Sequence, residues 1–339
     1  MMTMAGNGTT LSQEEIKTII YVYIGFLSPS VVGSFSVLVV SLLRWRRLQE
    51  QRQLLVQLAL ADLLASAVVL SISISNLVPR EDPAELCLYG LPLALVFYVL
   101  SFILVIIYAF KSKNVFQGWR TRPSSDGAQV QCGRTNEKAS YTLLWVALIG
   151  VYMMYAIFIS TQTQIDKKSD CCQSCYLFSH VWREGCSELD FMHQAPVYVV
   201  LFFMVVAVVP CCIVTYSEML KWHEGQEQQQ QGLFPVEGDG QSRKRFKHIK
   251  HTASMMVLVI IFCWTPALLL FILTWLLPQA TLFPLYIIQA ATVSLQGFLN
   301  SMVYAWKRTN FTEAVLGERT PLISYNHISF FEESLKSSP

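Results

Sequence analysis

Charged residues are scarce in this sequence, and histidine is scarcer still. Only 14% of the 339 residues are charged, whereas 53% are hydrophobic. A chain with so little charge and so many long apolar runs is typical of a membrane protein. The six histidines fall in loops or at the edges of the apolar runs. Because no cluster of His and Asp lies inside those runs, catalytic zinc would lack ligands there, and we expect no enzyme activity.

Seven apolar stretches are long enough to cross a hydrocarbon core, which takes about 18 residues or more. We predict spans at 18–43, 53–77, 87–110, 140–160, 196–217, 252–277 and 281–306. None of them alternates like a barrel strand, and a backbone in lipid must make its hydrogen bonds within the span. The predicted fold is therefore an all-α, seven-helix transmembrane bundle over 18–306, between an N-terminal segment 1–17 and a tail 307–339.

The basic residues predict the orientation of this bundle. Most of the 25 Lys and Arg residues fall in 44–52, 111–139, 221–250 and 307–339. Since basic loops stay in the cytoplasm, we expect the N-terminus outside and the C-terminus inside. The Asn7-Gly8-Thr9 sequon is then a predicted glycosylation site. Residues 1–17 are polar and show no cleavable signal peptide.

The two long basic loops, 111–139 and 221–250, are polar, and we predict flexible linkers there. Neither is long enough to form a core of its own. The second ends in Arg243-Lys244-Arg245-Phe246-Lys247, directly before the sixth span. A basic run at that place favours contact with membrane lipids over nucleic acid, so no nucleic-acid partner is expected.

Five of the nine cysteines fall on the predicted outer side. They are Cys87 at the head of the third span and Cys171, Cys172, Cys175 and Cys186 in one loop. The outer compartment is oxidising, which favours disulfides over a zinc site. A bond between Cys87 and Cys186 would hold the loop over the mouth of the bundle. The sequence leaves the connectivity open, with one cysteine left over.

Asp62 is the one charged side chain well inside a predicted span, and an intramembrane carboxylate is a functional-site hypothesis. The seventh span also carries a polar face, because five polar residues follow one another there at spacings of three or four. These residues are Gln289, Thr292, Gln296, Asn300 and Tyr304. This face must point into the bundle. It either joins helices by hydrogen bonds or shares a polar site with Asp62.

Several motifs resemble those of the rhodopsin-like G-protein-coupled receptors. Leu58-x-x-Ala61-Asp62 is similar to the second-helix motif, and Cys263-Trp264-Thr265-Pro266 is similar to the sixth-helix Cys-Trp-x-Pro. Asn300-Ser301-Met302-Val303-Tyr304 resembles Asn-Pro-x-x-Tyr with Ser in place of Pro. Ser101 and Trp145 fit single positions of the third and fourth helices. The matches follow the receptor order along the chain.

The resemblance implies a cavity among the helices, lined by Asp62, Ser101, Trp264, Gln296 and Asn300. In such receptors the matching positions hold a sodium ion and water, which the cavity loses on activation. A hard cation prefers oxygen ligands, so a bound sodium ion is one interpretation of Asp62. The other is a neutral, hydrogen-bonded carboxyl group, because burial disfavours charge. No other cofactor is expected.

In the receptor interpretation, a ligand moves the fifth to seventh helices. Trp264 and Pro266 would supply the hinge, while Asn300 and Tyr304 would repack toward Asp62. An outward-facing pocket for a small-molecule, lipid or peptide ligand would be lined by Phe97, Tyr98, Phe271, Trp275, Phe283 and Tyr286. Interfacial aromatic belts give the same pattern for structural reasons. The seventh span has no Lys to which retinal could be attached.

Other parts of the chain depart from the rhodopsin-like pattern. The third span ends in Tyr108-Ala109-Phe110-Lys111, without the Asp-Arg-Tyr with which those receptors hold a heterotrimeric G protein. The run 294–300 is more similar to cyclic-AMP-receptor-like and adhesion-type receptors. The whole chain, including Thr320-Pro321-Leu322-Ile323, is similar to the transmembrane protein 116 family. That resemblance implies a receptor-like protein and names no ligand.

Two other classes compete with a receptor. A small-solute transporter normally carries several ionisable groups along its pathway, whereas Asp62 is alone here. A trafficking or adaptor protein is the second, because the tail contains two runs that resemble sorting signals read by clathrin adaptors. These are Glu318 with Leu322 and Ile323, and Tyr325 with Ile328. They predict residence in the plasma membrane or an endolysosomal membrane.

Overall fold

The computed structural model describes residues 11–43, 52–77, 83–120, 129–163, 240–274 and 276–307, with positions 206, 210, 214 and 217. This part of the chain is helical and contains no strand, which confirms the all-α prediction for it. The helices are α1 (Gln13–Leu43), α2 (Arg52–Ser75), α3 (Pro83–Arg120), α4 (Gln129–Thr163), α5 (Gly240–Leu273), α6 (Phe283–Ser294) and α7 (Gln296–Lys307). A short 3-10 helix, Gln279–Leu282, precedes α6.

Helices α1 to α5 are each long and apolar enough to cross a membrane, and α6 with α7 makes a sixth span if the bent pair counts as one. These segments coincide with six of the seven predicted spans. The predicted fifth span, 196–217, lies outside the described residues except for four helical positions. The chain is thus an integral, multi-pass membrane protein.

Helix α1 begins five residues before the predicted span because its first turn is capped by side chains. The Glu15 carboxylate accepts hydrogen bonds from the backbone N–H of Ser12 (2.7 Å) and from the Ser12 hydroxyl (2.9 Å). The N–H of Glu15 donates in return to Ser12 Oγ at 3.3 Å. This reciprocal capping box satisfies N–H groups that have no partner within the helix.

The prediction of flexible linkers at 111–139 and 221–250 is wrong for residues 111–120, 129–139 and 240–250, which are helical. Helix α3 continues to Arg120, α4 begins at Gln129, and α5 begins at Gly240. Their apolar spans are much shorter: Tyr89–Ala109, Ser140–Thr161 and His251–Leu273. Once a span has paid the cost of helix nucleation, each further residue adds a backbone hydrogen bond, so the helix extends into polar sequence. Hydropathy marks the membrane boundary, not the helix boundary.

Contacts between helices fix their directions. In each contacting pair of helices, a higher residue number on one helix meets a lower number on the other. For α3 and α4 the contacts are Tyr89 with Ser160 and Phe97 with Trp145. For α2 and α3 they are Asp62 with Ser101 and Ile72 with Gly90, and for α2 and α7 they are Asp62 with Asn300 and Ser66 with Gly297. Helix α2 is therefore antiparallel to both α3 and α7. The short connection after α5 makes α5 antiparallel to α6 and α7. The last turns of α3 and the first turns of α4 and α5 thus lie at one end of the bundle, called here the basic end.

Candidate functional site

Asp62 lies on α2 with 2% of its surface exposed, and its carboxylate accepts three hydrogen bonds from two other helices. Oδ1 accepts from Ser101 Oγ of α3 at 2.7 Å and from Gln296 Nε2 at 3.3 Å. Oδ2 accepts from Asn300 Nδ2 of α7 at 2.8 Å. A buried carboxylate is tolerated only when such donors surround it. The predicted neighbours of Asp62 are therefore brought together by the fold.

Gln296 connects this carboxylate to α5. Its amide nitrogen donates to Asp62 and also to Ser101 Oγ at 3.1 Å. Its amide oxygen accepts the indole N–H of Trp264 at 2.6 Å. Asp62, Ser101 and Trp264 are all buried, so bulk water does not compete for their hydrogen bonds to this amide. One side chain at the start of α7 thus joins α2, α3 and α5.

Trp264 is held by two aromatic contacts as well as by the hydrogen bond of its nitrogen. Its centroid lies 5.2 Å from that of Tyr98 and 5.0 Å from that of Phe102, both in edge-to-face geometry. Such pairs contribute about 0.5–1.5 kcal/mol beyond the burial of their area. Helix α5 runs through Pro266 from Gly240 to Leu273. The Trp264 ring is therefore fixed between α3 and α7.

The seventh span is bent at Leu295, which the sequence did not predict. The two halves, Ala280–Ser294 and Gln296–Val303, meet at 41°. The sequence predicted one uninterrupted span over 281–306. Instead the helix breaks at Leu295. A helix break leaves backbone N–H groups without their usual acceptors, so another partner must supply one.

Ser30 of α1 supplies that acceptor. Its Oγ accepts the backbone N–H of Phe298 at 3.0 Å and the hydroxyl of Ser66 at 3.3 Å. The approach of α1 to α7 is close because Gly297 has no side chain. A methyl group there would lie 2.5 Å from Ser30 Oγ and 2.8 Å from Ser34 Oγ. Small residues at helix contacts allow this kind of packing in membranes.

The serine contact was not predicted from the sequence. Ser30 and Ser34 are four residues apart on α1, and both are fully buried. Their spacing, with Gly33 between them, is the signal that could have indicated a close helix contact. It was overlooked because most serines in apolar helices bond to their own backbone. Ser28 and Ser36 do so, with the carbonyls of Ile24 and Val32.

The polar face of the seventh span divides into two parts. Gln289 pairs with the phenol of Tyr23 on α1, at 3.2 Å and 3.0 Å in the two directions. Thr292 donates to the carbonyl of Gln289 in its own helix at 3.2 Å. Gln289 therefore joins α6 to α1, and Thr292 bonds within its own helix, whereas Gln296 and Asn300 of α7 contact Asp62. Tyr304 continues α7, and its side chain lies outside the described residues.

One oxygen beside the carboxylate lacks a partner. Asn300 Oδ1 is buried, and among the described residues no group donates a hydrogen bond to it. Asn300 Nδ2 of the same amide bonds to Asp62, so this oxygen belongs to the polar network. Together with the Asp62 carboxylate and Ser101 Oγ, it offers the type of oxygen ligand that hard cations prefer. The chemical type of these oxygen atoms therefore fits a sodium ion.

The aromatic residues predicted to line a ligand pocket have different surroundings. Phe97 packs on Trp145 of α4, with centroids 6.3 Å apart, whereas Tyr98 packs on Trp264. Tyr286 is buried, and its hydroxyl has no hydrogen-bond partner among the described residues. Phe271 and Phe283 are partly buried, and Trp275 lies outside the described part. The pocket remains a prediction.

The other predicted sites lie outside the described part of the chain. Position 87 falls in α3, but the Cys87 side chain is not among those described. The remaining residues are Asn7, Cys186, Glu318, Leu322, Ile323, Tyr325 and Ile328. The glycosylation site, the disulfide and the sorting signals therefore stay predictions.

The helices and the buried network define a multi-pass helical membrane protein in which four helices are joined around one buried carboxylate. The sequence profile of the transmembrane protein 116 family matches residues 16–320, which includes α2 to α7 and all but the first three residues of α1. The chain belongs to that family. A comparison with curated proteins gives no match.

Proposed function

We propose that this protein is a receptor-like membrane protein that transmits ligand binding to its basic end. In this proposal seven helices cross the membrane, with the N-terminus outside and the basic end in the cytoplasm. The observation that carries the proposal is the hydrogen-bond network of Asp62, Ser101, Gln296, Asn300 and Trp264. It joins four helices through side chains that can exchange partners without unfolding any helix.

The Gln296 amide is the element through which a signal would pass. Its oxygen holds Trp264 and its nitrogen holds Asp62 and Ser101, so displacement of the indole alters both sets of bonds. Tyr98 packs against the same indole from α3. A small-molecule, lipid or peptide ligand that shifted Tyr98 would therefore act on Trp264 and, through Gln296, on α7.

A sodium ion fits the resting state of this network. Asp62, Ser101 and Asn300 Oδ1 would hold it, and the ion would supply a counter-charge for the buried carboxylate. An ion held by α2, α3 and α7 together favours the arrangement in which these helices are close. Loss of the ion would release α7 from α2.

The bend at Leu295 gives α7 a defined place to move. The Ser30 hydroxyl holds the freed N–H of Phe298, and Asn300 follows half a turn later. A change in the angle of this bend would move Asn300 and Tyr304 toward or away from Asp62. Movement of α5 and α7 at the basic end would then change the surface presented to a cytoplasmic partner.

The partner proposed first is a heterotrimeric G protein, in the plasma membrane or an endolysosomal membrane. The test is a G-protein activation panel on cells expressing wild-type protein and Asp62→Asn, with surface and total expression matched. We expect basal or ligand-evoked coupling in wild-type cells and a changed response with Asp62→Asn. If neither wild-type protein nor Asp62→Asn activated any G protein of the panel, the result would contradict coupling and favour the trafficking alternative.

A further inference from the structure

The N-terminal turns of α5 continue the helix of the membrane span into a strongly basic sequence. Residues 240–250 precede the span His251–Leu273 and contain five Lys and Arg residues and no acidic residue. At 1.5 Å per residue this extension is about 16 Å long. Because α5 is one continuous helix, the faces of the span can be followed into the extension by helical register.

The apolar residues of the extension continue the face that packs into the bundle. Positions 246 and 249 are in register, at intervals of 7 and 11 residues, with Ala253, Met256, Val257 and Ile260, all of which are fully buried. Phe246 and Ile249 occupy these positions. Arg245 is in register with Thr252 and Cys263, which are also buried. The bundle-facing stripe of α5 thus extends beyond the membrane boundary.

Two lysines continue the opposite face, which looks out of the bundle. Position 244 is in register with Leu258 and Phe262, which are 38% and 59% exposed. Position 247 is in register with Leu258 and Leu269, and Leu269 is 47% exposed. Among the described residues no helix covers this apolar stripe, and an uncovered apolar stripe of a membrane span faces acyl chains. Lys244 and Lys247 therefore follow the acyl-contacting stripe directly into the headgroup layer.

Distance along the helix agrees with this placement. Position 247 lies about 6 Å and position 244 about 10 Å beyond the end of the apolar span. The headgroup region of one leaflet is about 5–8 Å thick, and Lys side chains extend along a helix to reach a polar layer. Positions 245 and 246 are instead in register with the buried stripe of α5.

We propose that the outward face of this extension, formed by Lys244 and Lys247, binds the phosphate groups of anionic lipid in the surrounding leaflet. The site takes polyanionic headgroups in preference to zwitterionic ones, because the extension is basic throughout. This inference uses the predicted orientation, with the basic end in the cytoplasm. It does not depend on ligand-driven signalling, so a negative result in the G-protein activation panel would not contradict it.

Two single substitutions with the same change of charge separate a facial site from a general effect of charge. Lys247→Gln removes a residue of the outward face, and Arg245→Gln removes one of the inward face two positions away. The full chain is purified into phosphatidylcholine nanodiscs with a minor fraction of phosphatidylinositol bisphosphate. Its association with fluorescent phosphatidylinositol bisphosphate is measured against fluorescent phosphatidylcholine. A thermal melt of each variant checks that it is folded.

Wild-type protein should enrich the anionic lipid, and added salt should reduce the enrichment. Lys247→Gln should weaken it about fivefold, since each basic residue near an anionic surface contributes about that factor, while Arg245→Gln should leave it unchanged. Equal losses in the two variants, or none in Lys247→Gln, would overturn the proposal. So would preferential binding of a soluble acidic peptide through Lys244 and Lys247, because the occupant would then be a protein.

Discussion

The indole N–H of Trp264 and the amide oxygen of Gln296 are 2.6 Å apart in the buried interior of the bundle. This bond joins α5 to the first residue of α7, one residue after the break at Leu295. The nitrogen of the same amide bonds to Asp62 and Ser101. The aromatic core of the bundle and its buried carboxylate are therefore coupled through a single side chain.

Trp264→Phe should lower the free energy of unfolding by about 1–3 kcal/mol, because it leaves the buried Gln296 oxygen without its donor. The phenyl ring keeps most of the contact with Tyr98 and Phe102. Thermal denaturation of purified protein measures the change. Trp145→Phe is the matched control, since Trp145 packs on Phe97 away from the network. Equal losses of stability in the two variants would show that the hydrogen bond from Trp264 to Gln296 does not contribute to the free energy of unfolding beyond the loss of the indole ring.

Ser101→Ala should destabilise the protein more than Ser73→Ala does, although both replace a buried serine. Ser101 donates to the carboxylate of Asp62, whereas Ser73 donates to the carbonyl of Val69 in its own helix. A hydrogen bond to a charged group contributes about 1.5–3 kcal/mol, compared with about 1 kcal/mol for a neutral one. Melting curves of the two variants in the same detergent give the comparison. The opposite ranking would argue against a charged Asp62.

Gly297→Ala should destabilise by about 1–3 kcal/mol, the usual cost of inserting a methyl group into a packed contact. The new Cβ would meet Ser30 Oγ at 2.5 Å, and a rotated Ser30 would lose the N–H of Phe298. Gly25→Ala in α1 is the control, because nothing lies within 4 Å of its added Cβ. A Gly297→Ala variant as stable as Gly25→Ala would mean that α1 does not hold the bend.

The neighbours of Asp62 could be predicted because a lone intramembrane carboxylate requires donors. The spacing of Gln296 and Asn300 places both on one face of a helix. The motif positions of Ser101 and Trp264 predicted that these two residues also lie near Asp62. The bend at Leu295 could not be predicted in the same way. The break is stabilised by Ser30, more than 260 residues away in sequence, and nothing in the residues around Leu295 indicates that contact.

The limits of the helices were predicted less well than the positions of the apolar spans. Apolar runs report where lipid surrounds the chain, so they located the spans of α2 to α5 within a few residues. They carry no information on polar residues that continue a helix, and the turns at 111–120, 129–139 and 240–250 were therefore taken for linkers. The pairing of Tyr23 with Gln289 was also missed, because a phenol in an apolar helix gives no sign of its partner.

The central claim is that Asp62 is charged and holds a sodium ion with Ser101 and Asn300. The most direct measurement is the melting temperature of purified protein in sodium chloride and in choline chloride at equal ionic strength, for wild type, Asp62→Asn and Ser73→Ala. We predict that sodium raises the melting temperature of wild type and Ser73→Ala and leaves that of Asp62→Asn unchanged. A wild-type protein indifferent to sodium, or a sodium effect that survives in Asp62→Asn, would contradict the claim.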